Sequence, residues 1–426
     1  MKFNKKLVSL AIILMVFIFP AFIIDVNSNE ESWTRRWPNI KYASDIVIDS
    51  QNNIYVLGLT YDHIGLLKFN RTGDLIGDII WDLGNPVDGL AIVLDEGDNL
   101  YIAGTIDDDL SDAFIMKCDS EGNLLWNHTW GGTYNERCRG LVIDSFNNSY
   151  IIGDTDSFGE GWRDTDIFIT KFNSSGSKLW NITWAPSTTW EHFNAVTIDR
   201  ANNLYILGDL FYYPYKQFIV KLNSSGTELW NITISRYTSY QDIAMDSEDN
   251  IIFANERHLI KLNSSGDIIW THNISKSNHG LKVAIDSNDN IFIVENRHIQ
   301  CLDYIYFDQN LPCFCTAIYL DKYDNFGNLI WKKRCTGCSG IFFGGITLDA
   351  LDNIYICGTI HITSLGDCSL GYYNIILMKN PKNFSGLCLS IPYDLIIVIV
   401  SIIGICIFIL FRSRKKRRSG LVEAIP

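Results

Sequence analysis

The chain has 426 residues, a formal net charge of −13 and 47% hydrophobic residues. An acidic chain lacks the positive field that phosphate groups require, so nucleic acid and anionic lipid are disfavoured as ligands. The length is sufficient for a large buried core.

The N-terminus carries a basic and then an apolar segment. Lys2, Lys5 and Lys6 precede an apolar run from Leu7 to Ile24. This order is typical of an export signal, so residues 1–24 are predicted to be a signal peptide or a retained signal anchor. In either case the chain from residue 30 onward is expected outside the cell.

A pattern Asp-x-x-[Asn/Asp]-Asn recurs seven times between an apolar stretch and an apolar-aromatic one, with 40 to 63 residues from one copy to the next. A period of this size indicates propeller blades or helical arrays. Alternating runs such as Asn203 to Gly208 favour strands, and no unit has a helical period. Each copy is predicted to form the turn between the first and second strands of a blade. The repeated aspartates are Asp49, Asp95, Asp144, Asp199, Asp246, Asp286 and Asp349.

A second repeated signal, Lys-apolar-[Asn/Asp]-x-x-Gly, follows in six of the seven units and predicts the hairpin between the third and fourth strands. Its glycines are Gly73, Gly122, Gly176, Gly226, Gly266 and Gly327, and five of them precede Trp126, Trp180, Trp230, Trp270 and Trp331 by four residues. The seventh unit lacks this last strand, whereas Trp33-x-x-x-Trp37 precedes the first unit. The sequence therefore predicts an all-β, seven-bladed β-propeller whose N-terminal strand closes the last blade and removes the open sheet edge.

These motifs resemble the SBBP family of seven-bladed β-propeller repeats, over residues 31 to about 384. The resemblance implies a secreted or surface protein and specifies the fold. It does not specify a function, because propellers host binding modules and several classes of enzyme.

The C-terminus has the features of a membrane anchor. After the predicted propeller (31–386) and a linker (387–394), residues 395–411 are uninterruptedly apolar and residues 412–426 begin with a basic cluster. Their length and flanking charge predict one transmembrane helix and a short cytoplasmic tail. The expected protein is single-pass in the cell membrane, with an extracellular propeller.

Long, variable connections are expected on the face of the propeller opposite the repeated tight turns, where loops on a rigid scaffold carry binding. Aromatic residues beside Asp209 suit sugar or protein recognition, although they could instead pack over the blade ends. The candidate ligand-binding residues are Trp190, Phe211, Tyr212, Tyr213 and Tyr215.

An acidic loop is the weak candidate for a metal site. Asp154, Asp156, Asp164 and Asp166 could supply oxygen ligands to Ca²⁺, although their spacing matches no EF-hand loop and a solvated acidic loop explains them as well. No other cofactor is expected.

Ten of the eleven cysteines lie outside the predicted membrane segment, where disulfides can form. Those expected to form disulfides in blades six and seven are Cys301, Cys313, Cys315, Cys335, Cys338, Cys357 and Cys368. Four of these, Cys313, Cys315, Cys335 and Cys338, alternatively fit a zinc site. Cys118 and Cys138 are not expected to bond to each other.

Asn-x-Ser/Thr sequons are frequent and suggest a glycosylated surface, although Asn-Ser-Ser-Gly is also a favourable turn. They begin at Asn70, Asn127, Asn147, Asn173, Asn181, Asn223, Asn231, Asn263, Asn273 and Asn383.

No catalytic motif is present: the sequence has no Gly-x-Ser-x-Gly elbow, His-Glu-x-x-His site or phosphate loop. Histidines such as His192 are expected to be solvated. The sequence therefore favours a surface binding or adhesion scaffold that recognises a protein or a glycan. The alternatives are an exported propeller enzyme, either a lyase or a glycoside-cleaving enzyme, and a structural envelope component.

Overall fold

The computed structural model describes residues 33–37, 40–60, 63–85, 87–107, 110–158, 165–186, 190–211, 216–235, 241–274, 279–300, 314–336, 341–364 and 367–380. Within these ranges no helix has the length and hydrophobicity needed to cross a membrane. The predicted signal (1–24), membrane segment (395–411) and tail (412–426) lie outside the described residues.

The described chain forms seven four-stranded antiparallel sheets, as the repeats predict. Blade 1 contains β2 (Tyr42–Ile48), β3 (Ile54–Leu59), β4 (Ile64–Phe69) and β5 (Leu75–Trp81). Blade 2 contains β6 (Val87–Leu94), β7 (Leu100–Ile106), β8 (Asp112–Cys118) and β9 (Leu124–Trp130). Blade 3 contains β10 (Glu136–Ile143), β11 (Ser149–Thr155), β12 (Asp166–Phe172) and β13 (Lys178–Trp184). Blades 4 and 5 contain β14 (Glu191–Ile198), β15 (Leu204–Leu210), β16 (Lys216–Leu222), β17 (Glu228–Ser235); and β18 (Gln241–Met245), β19 (Ile251–Asn255), β20 (His258–Leu262), β21 (Ile268–Asn273).

Blade 6 contains β22 (His279–Ile285), β23 (Ile291–Gln300), β24 (Phe314–Tyr323) and β25 (Leu329–Thr336). Blade 7 contains β26 (Ile341–Leu348), β27 (Ile354–Ser364) and β28 (Asp367–Lys379), and its fourth strand is β1 (Trp33–Trp37). β1 pairs with β28 from Trp33 opposite Lys379 to Trp37 opposite Ile375. The predicted closure of the ring by the N-terminal strand is therefore confirmed.

The repeated aspartate organises the turn between the first two strands of each blade. In blade 3, one carboxylate oxygen of Asp144 accepts hydrogen bonds from the backbone N–H groups of Phe146 and Asn148, both at 2.9 Å. This arrangement lets Asn147 adopt a left-handed backbone with φ of 59°. The same conformation occurs at the fourth motif position of all seven units, which explains why that position is Asn or Asp.

The repeated lysines pair with these aspartates within a blade. Nζ to carboxylate distances in blades 2 to 6 run from 2.7 to 3.5 Å. The pair in blade 3 is buried, since the Lys171 and Asp144 side chains are only 8% and 0% exposed. In blade 1, Lys68 instead contacts Ser120 and Glu121 of blade 2.

The hydrophobic core lies between neighbouring sheets. One cluster, for example, joins Tyr55 and Leu57 of blade 1 to Ile102 and Phe114 of blade 2. The repeated tryptophans seal the outer part of these interfaces. The indole N–H groups of Trp126, Trp230 and Trp270 each donate, at 3.2 Å, to a backbone carbonyl of the next blade. Each of these carbonyls lies in the hairpin between the third and fourth strands.

Candidate functional site

The two faces of the ring differ in their connections. The tight-turn face carries the hairpins between strands one and two and between strands three and four of each blade. The variable-loop face carries the other connections, and the predicted ligand-binding residues belong to it. Trp190 and Phe211 meet there, because the Phe211 backbone N–H donates to the Trp190 carbonyl at 2.9 Å. Tyr212, Tyr213 and Tyr215 lie outside the described residues.

This aromatic pair lies at the variable-loop end of blade 4. The Trp190 side chain is half exposed. The Phe211 ring meets the imidazole of His192 edge to face, with 4.8 Å between the ring centroids. The two aromatic residues flank the first two strands of the blade, since β14 begins directly after Trp190 and β15 ends directly before Phe211.

His192 is held by a carboxylate from the preceding blade. Its Nδ1 lies 3.2 Å from Oδ2 of Asp154, and Oδ1 of Asp154 accepts the Phe193 backbone N–H at 2.7 Å. Asp154 is 1% exposed, whereas the His192 side chain is 32% exposed. An imidazole that donates from Nδ1 to a buried carboxylate keeps its Nε2 lone pair for a ligand. The sequence predicted a solvated His192 and did not indicate this pair with Asp154.

A second buried carboxylate occupies the equivalent position in blade 4. Asp209 accepts hydrogen bonds from Asn194 Nδ2 at 2.8 Å and Gln241 Nε2 at 2.6 Å. Burial raises the pKa of Asp209 to about 6, although the donors from Asn194 and Gln241 and the nearby His192 act to lower it. This carboxyl group therefore titrates close to neutral pH.

Asp154 and Asp209 both follow the glycine of a second strand, at Gly153 and Gly208. In blades 2 and 7 the same position is a threonine that ties adjacent blades together, as when Thr105 accepts the Cys138 backbone N–H at 3.0 Å. The repeated sequence Gly-Asp in blades 3 and 4 was thus the available signal for these two carboxylates.

β-Bulges place an extra polar residue in the first strands of blades 3 and 4. The pairing of β10 with β11 is interrupted between Cys138 and Gly140, and the extra residue is Arg139. The corresponding extra residue in β14 is Asn194. The half-exposed Arg139 guanidinium lies 3.8 Å from Asp154, so it contributes positive charge beside His192.

Two further aromatic residues lie on the same face at blade 3. The side chains of Tyr134 and Phe158 are 55% and 45% exposed. The Tyr134 backbone N–H donates to Ser157 Oγ at 2.8 Å, and the Phe158 ring packs on Trp130 with 5.4 Å between centroids. Tyr134, Phe158, Trp190 and Phe211 together are called the aromatic arc below.

In the described part of the acidic loop, Asp154 and Asp156 already have other partners. Asp154 is engaged by His192 and Phe193, while Asp156 accepts from Thr165 Oγ1 at 2.8 Å and lies 3.6 Å from Arg137. Among the described residues, no group of three or more His, Cys, Asp and Glu side chains could hold a metal. Asp166 is buried within β12, and Asp164 lies outside the described residues.

The cysteine prediction fails at the position where the structure describes the side chain. Cys357 is a free thiol with no solvent exposure, packed in the core between blades 7 and 1, so it does not take part in a disulfide. Cys118 and Cys138 are also free and buried. Cys301, Cys313 and Cys338 lie outside the described residues, as do the side chains of Cys315, Cys335 and Cys368.

The sequons occupy accessible positions wherever the structure describes them. None of the nine described asparagines is buried, and Asn127, Asn181, Asn231 and Asn273 are exposed on outer strands. Asn383 lies outside the described residues. Glycosylation of these sites stays a prediction.

No protein-family model and no curated protein matches the chain. Among solved structures it is similar to selenomethionine-substituted virginiamycin B lyase from Staphylococcus aureus, with a TM-score of 0.52 and 10% identity over 82% of this chain and 99% of that one. It is also similar to the WD40 domain of Pan2 from Neurospora crassa, with a TM-score of 0.51 and 8% identity over 84% of this chain and 98% of that one. At such low identity the similarity shows the fold alone, and the chain is a seven-bladed β-propeller.

Proposed function

We propose that this protein is an extracellular binding scaffold that recognises a protein or a glycan through the variable-loop face of blades 3 and 4. The observation that carries the proposal is the aromatic arc, within which Phe211 packs on His192, the histidine held by Asp154. Flat rings supply stacking surfaces, and fixed polar groups supply hydrogen bonds of defined direction. Such an alternation suits a polyhydroxylated ligand and also the aromatic-rich core of a protein interface.

The test is binding of the full chain to an array of purified glycans and to proteins from the producer's own envelope. Trp190→Ala and Phe211→Ala are each expected to weaken binding by at least about tenfold, as truncating an interface anchor does. Phe342→Ala is the matched control, because Phe342 is an exposed aromatic residue of similar accessibility in blade 7. Equal binding by all three variants, with unchanged thermal unfolding, would contradict the proposal.

A second candidate function is acid-base catalysis at the same place. The specific observation is the pairing of His192 with buried Asp154, since a base oriented by a carboxylate is the arrangement that proton transfer requires. The variant His192→Gln separates the two functions. An enzyme would lose turnover while retaining ligand, whereas a binder would show no turnover before or after the change.

We further propose the surface location and membrane anchoring on the basis of the terminal segments, and membership of the SBBP repeats on the basis of the repeated motifs. In this arrangement the variable-loop face points away from the cell. An epitope tag inserted at Tyr213 should then be accessible to antibody on intact cells. A tag reached only after permeabilisation would contradict the orientation. A structural envelope component would pass this test but bind no ligand.

A further inference from the structure

Two apolar side chains project from the tight-turn face in neighbouring blades. Phe326, in the hairpin between β24 and β25 of blade 6, is 72% exposed, and Leu351, in the turn between β26 and β27 of blade 7, is 81% exposed. Leu329 and Ile330, which follow the Phe326 hairpin, are also at least half exposed.

The turns themselves do not need apolar residues at these positions. The position of Phe326 is occupied by Thr72, Glu121 and three serines in other blades, and the position of Leu351 by residues such as Gln51 and Glu248. All of these turns keep the same backbone hydrogen bonds, for example from Gly327 N–H to the Asp324 carbonyl and from Asp352 N–H to the Asp349 carbonyl. The apolar side chains of Phe326 and Leu351 therefore have no role in forming the turns that carry them.

The chain leaves the propeller beside Leu351. Asn380 follows β28 directly, donates its backbone N–H to the Ile354 carbonyl and accepts the Ile354 N–H at 2.8 Å. Its side-chain amide also donates to Asn353 Oδ1 at 2.6 Å. These bonds hold the exit point next to the turn that carries Leu351.

The apolar run beginning at Leu395 is therefore separated by 14 residues from a fixed point on the tight-turn face. At about 3.3 to 3.6 Å per residue, such a linker spans at most roughly 50 Å. A bilayer that holds this run must lie within that distance of the exit point, so the blades nearest the exit meet it at a high effective concentration.

We propose that the tight-turn face docks on the outer surface of this bilayer at blades 6 and 7, with Phe326 and Leu351 entering the boundary between headgroups and acyl chains. The lipid is zwitterionic, because exposed carboxylates such as those of Glu121 and Glu248 on the same face would be repelled by an anionic surface. Single projecting apolar side chains surrounded by polar turns suit shallow insertion of this kind.

Blade 3 supplies a matched control on the same face. Phe146 is 75% exposed and occupies the turn position that corresponds to Leu351. In a ring of seven blades, blade 3 lies across from the junction of blades 6 and 7. Docking centred on the exit point should therefore leave Phe146 in water.

The experiment uses the full chain in phosphatidylcholine nanodiscs. An environment-sensitive fluorescent amino acid replaces Phe326, Leu351 or Phe146, one position at a time, and a lipid with a shallow spin label acts as the quencher. Quenching at positions 326 and 351 should be several-fold stronger than at position 146. Equal quenching at all three positions, or none at 326 and 351, would overturn the proposal. Failure of the chain to insert into nanodiscs would contradict the membrane anchoring proposed above, on which this docking rests.

Rotation of the propeller gives a second readout without a probe at the contact. The double variant Phe326→Ser, Leu351→Ser should show a faster decay of tryptophan anisotropy in nanodiscs, whereas Phe146→Ser should leave it unchanged. All three positions are exposed, so thermal unfolding should not change. The fluorophore at positions 326 and 351 could report an apolar environment without being quenched by the labelled lipid. That result, together with a cross-linked dimer, would show that a second copy of the chain covers these positions and would contradict the lipid contact.

Discussion

Removal of one repeated aspartate tests whether the buried lysine pairs stabilise the ring. In blade 3, Asp144 accepts from the N–H groups of Phe146 and Asn148, from the Asn148 amide and from Tyr150 OH, and it lies 3.1 Å from Lys171 Nζ. Burial alone would raise the pKa of Asp144, but the hydrogen bonds from Asn148 and Lys171 outweigh it and the pKa is lowered. The folded state therefore contains a stabilised carboxylate.

Asp144→Ala leaves Lys171 buried without its carboxylate partner. The remaining contacts of Lys171 are the Ser224 carbonyl at 3.1 Å and the Tyr150 ring, 4.7 Å from Nζ to the centroid. Breaking a buried ion pair on one side lowers the free energy of unfolding by about 3 to 5 kcal/mol. The double variant Asp144→Ala, Lys171→Met removes the unpaired charge and should recover part of this loss.

The matched control is Asp119→Ala in the hairpin between β8 and β9 of blade 2. Asp119 makes the same turn bonds, to the N–H groups of Glu121 and Asn123, but it is on the surface and no lysine pairs with it among the described residues. Its removal should lower stability much less, because water replaces the lost bonds. Urea unfolding of the full chain in detergent, followed by tryptophan fluorescence, measures all four proteins. Equal losses for Asp144→Ala and Asp119→Ala, with no recovery in the double variant, would refute the argument.

Four further outcomes are expected. A Cβ at Gly153 would lie 1.9 Å from the Arg137 carbonyl oxygen, whereas one at Gly77 would meet nothing closer than 3.7 Å. Gly153→Ala should therefore lower the free energy of unfolding by about 1 to 3 kcal/mol or more, and Gly77→Ala should not. Equal urea midpoints for the two variants would contradict this. The pKa of Asp209 is raised to about 6, so its ionised form destabilises the fold above that pH, and acidification from pH 7 to pH 5 should raise stability in the parent protein more than in Asp209→Asn. The pKa values of repeated aspartates such as Asp95 and Asp246 are lowered in the folded state. The free energy of unfolding should therefore decrease as the pH falls below about 4, the pKa of aspartate in the unfolded chain. A chain equally stable at pH 3 and pH 5 would show that these carboxylates contribute little. Burial raises the pKa of the Cys357 thiol, so mass spectrometry should find it unalkylated until the chain unfolds; rapid native labelling would place it outside the core.

The local turns could be predicted from the sequence because their interactions span at most six residues. Asp49 bonds to the backbone N–H groups of Gln51 and Asn53 and to the Tyr55 hydroxyl, all within one motif. Each motif therefore specifies its turn independently of the rest of the chain. The repeat number and the shared blade 7 followed from counting these motifs.

The contacts between blades could not be predicted in this way. Ser50 bonds to Asp98 of the next blade through both its N–H at 2.9 Å and its hydroxyl at 2.6 Å, and no local pattern relates the two residues. The pairing of His192 with Asp154 likewise joins strands of different sheets, 38 residues apart. Their meeting depends on the angle between packed blades and on the bulge in each first strand.

The sequence by itself thus determined the hairpins, the number of blades and the closure of the ring, since those depend on short-range hydrogen bonds and on repetition. Only the tertiary structure decided that the Asp-Lys pairs are buried, that Cys357 is a core thiol and that His192 and Asp209 border one surface. Burial and electrostatic environment arise from the packing of neighbouring sheets, and that packing brings together residues that are distant in the chain.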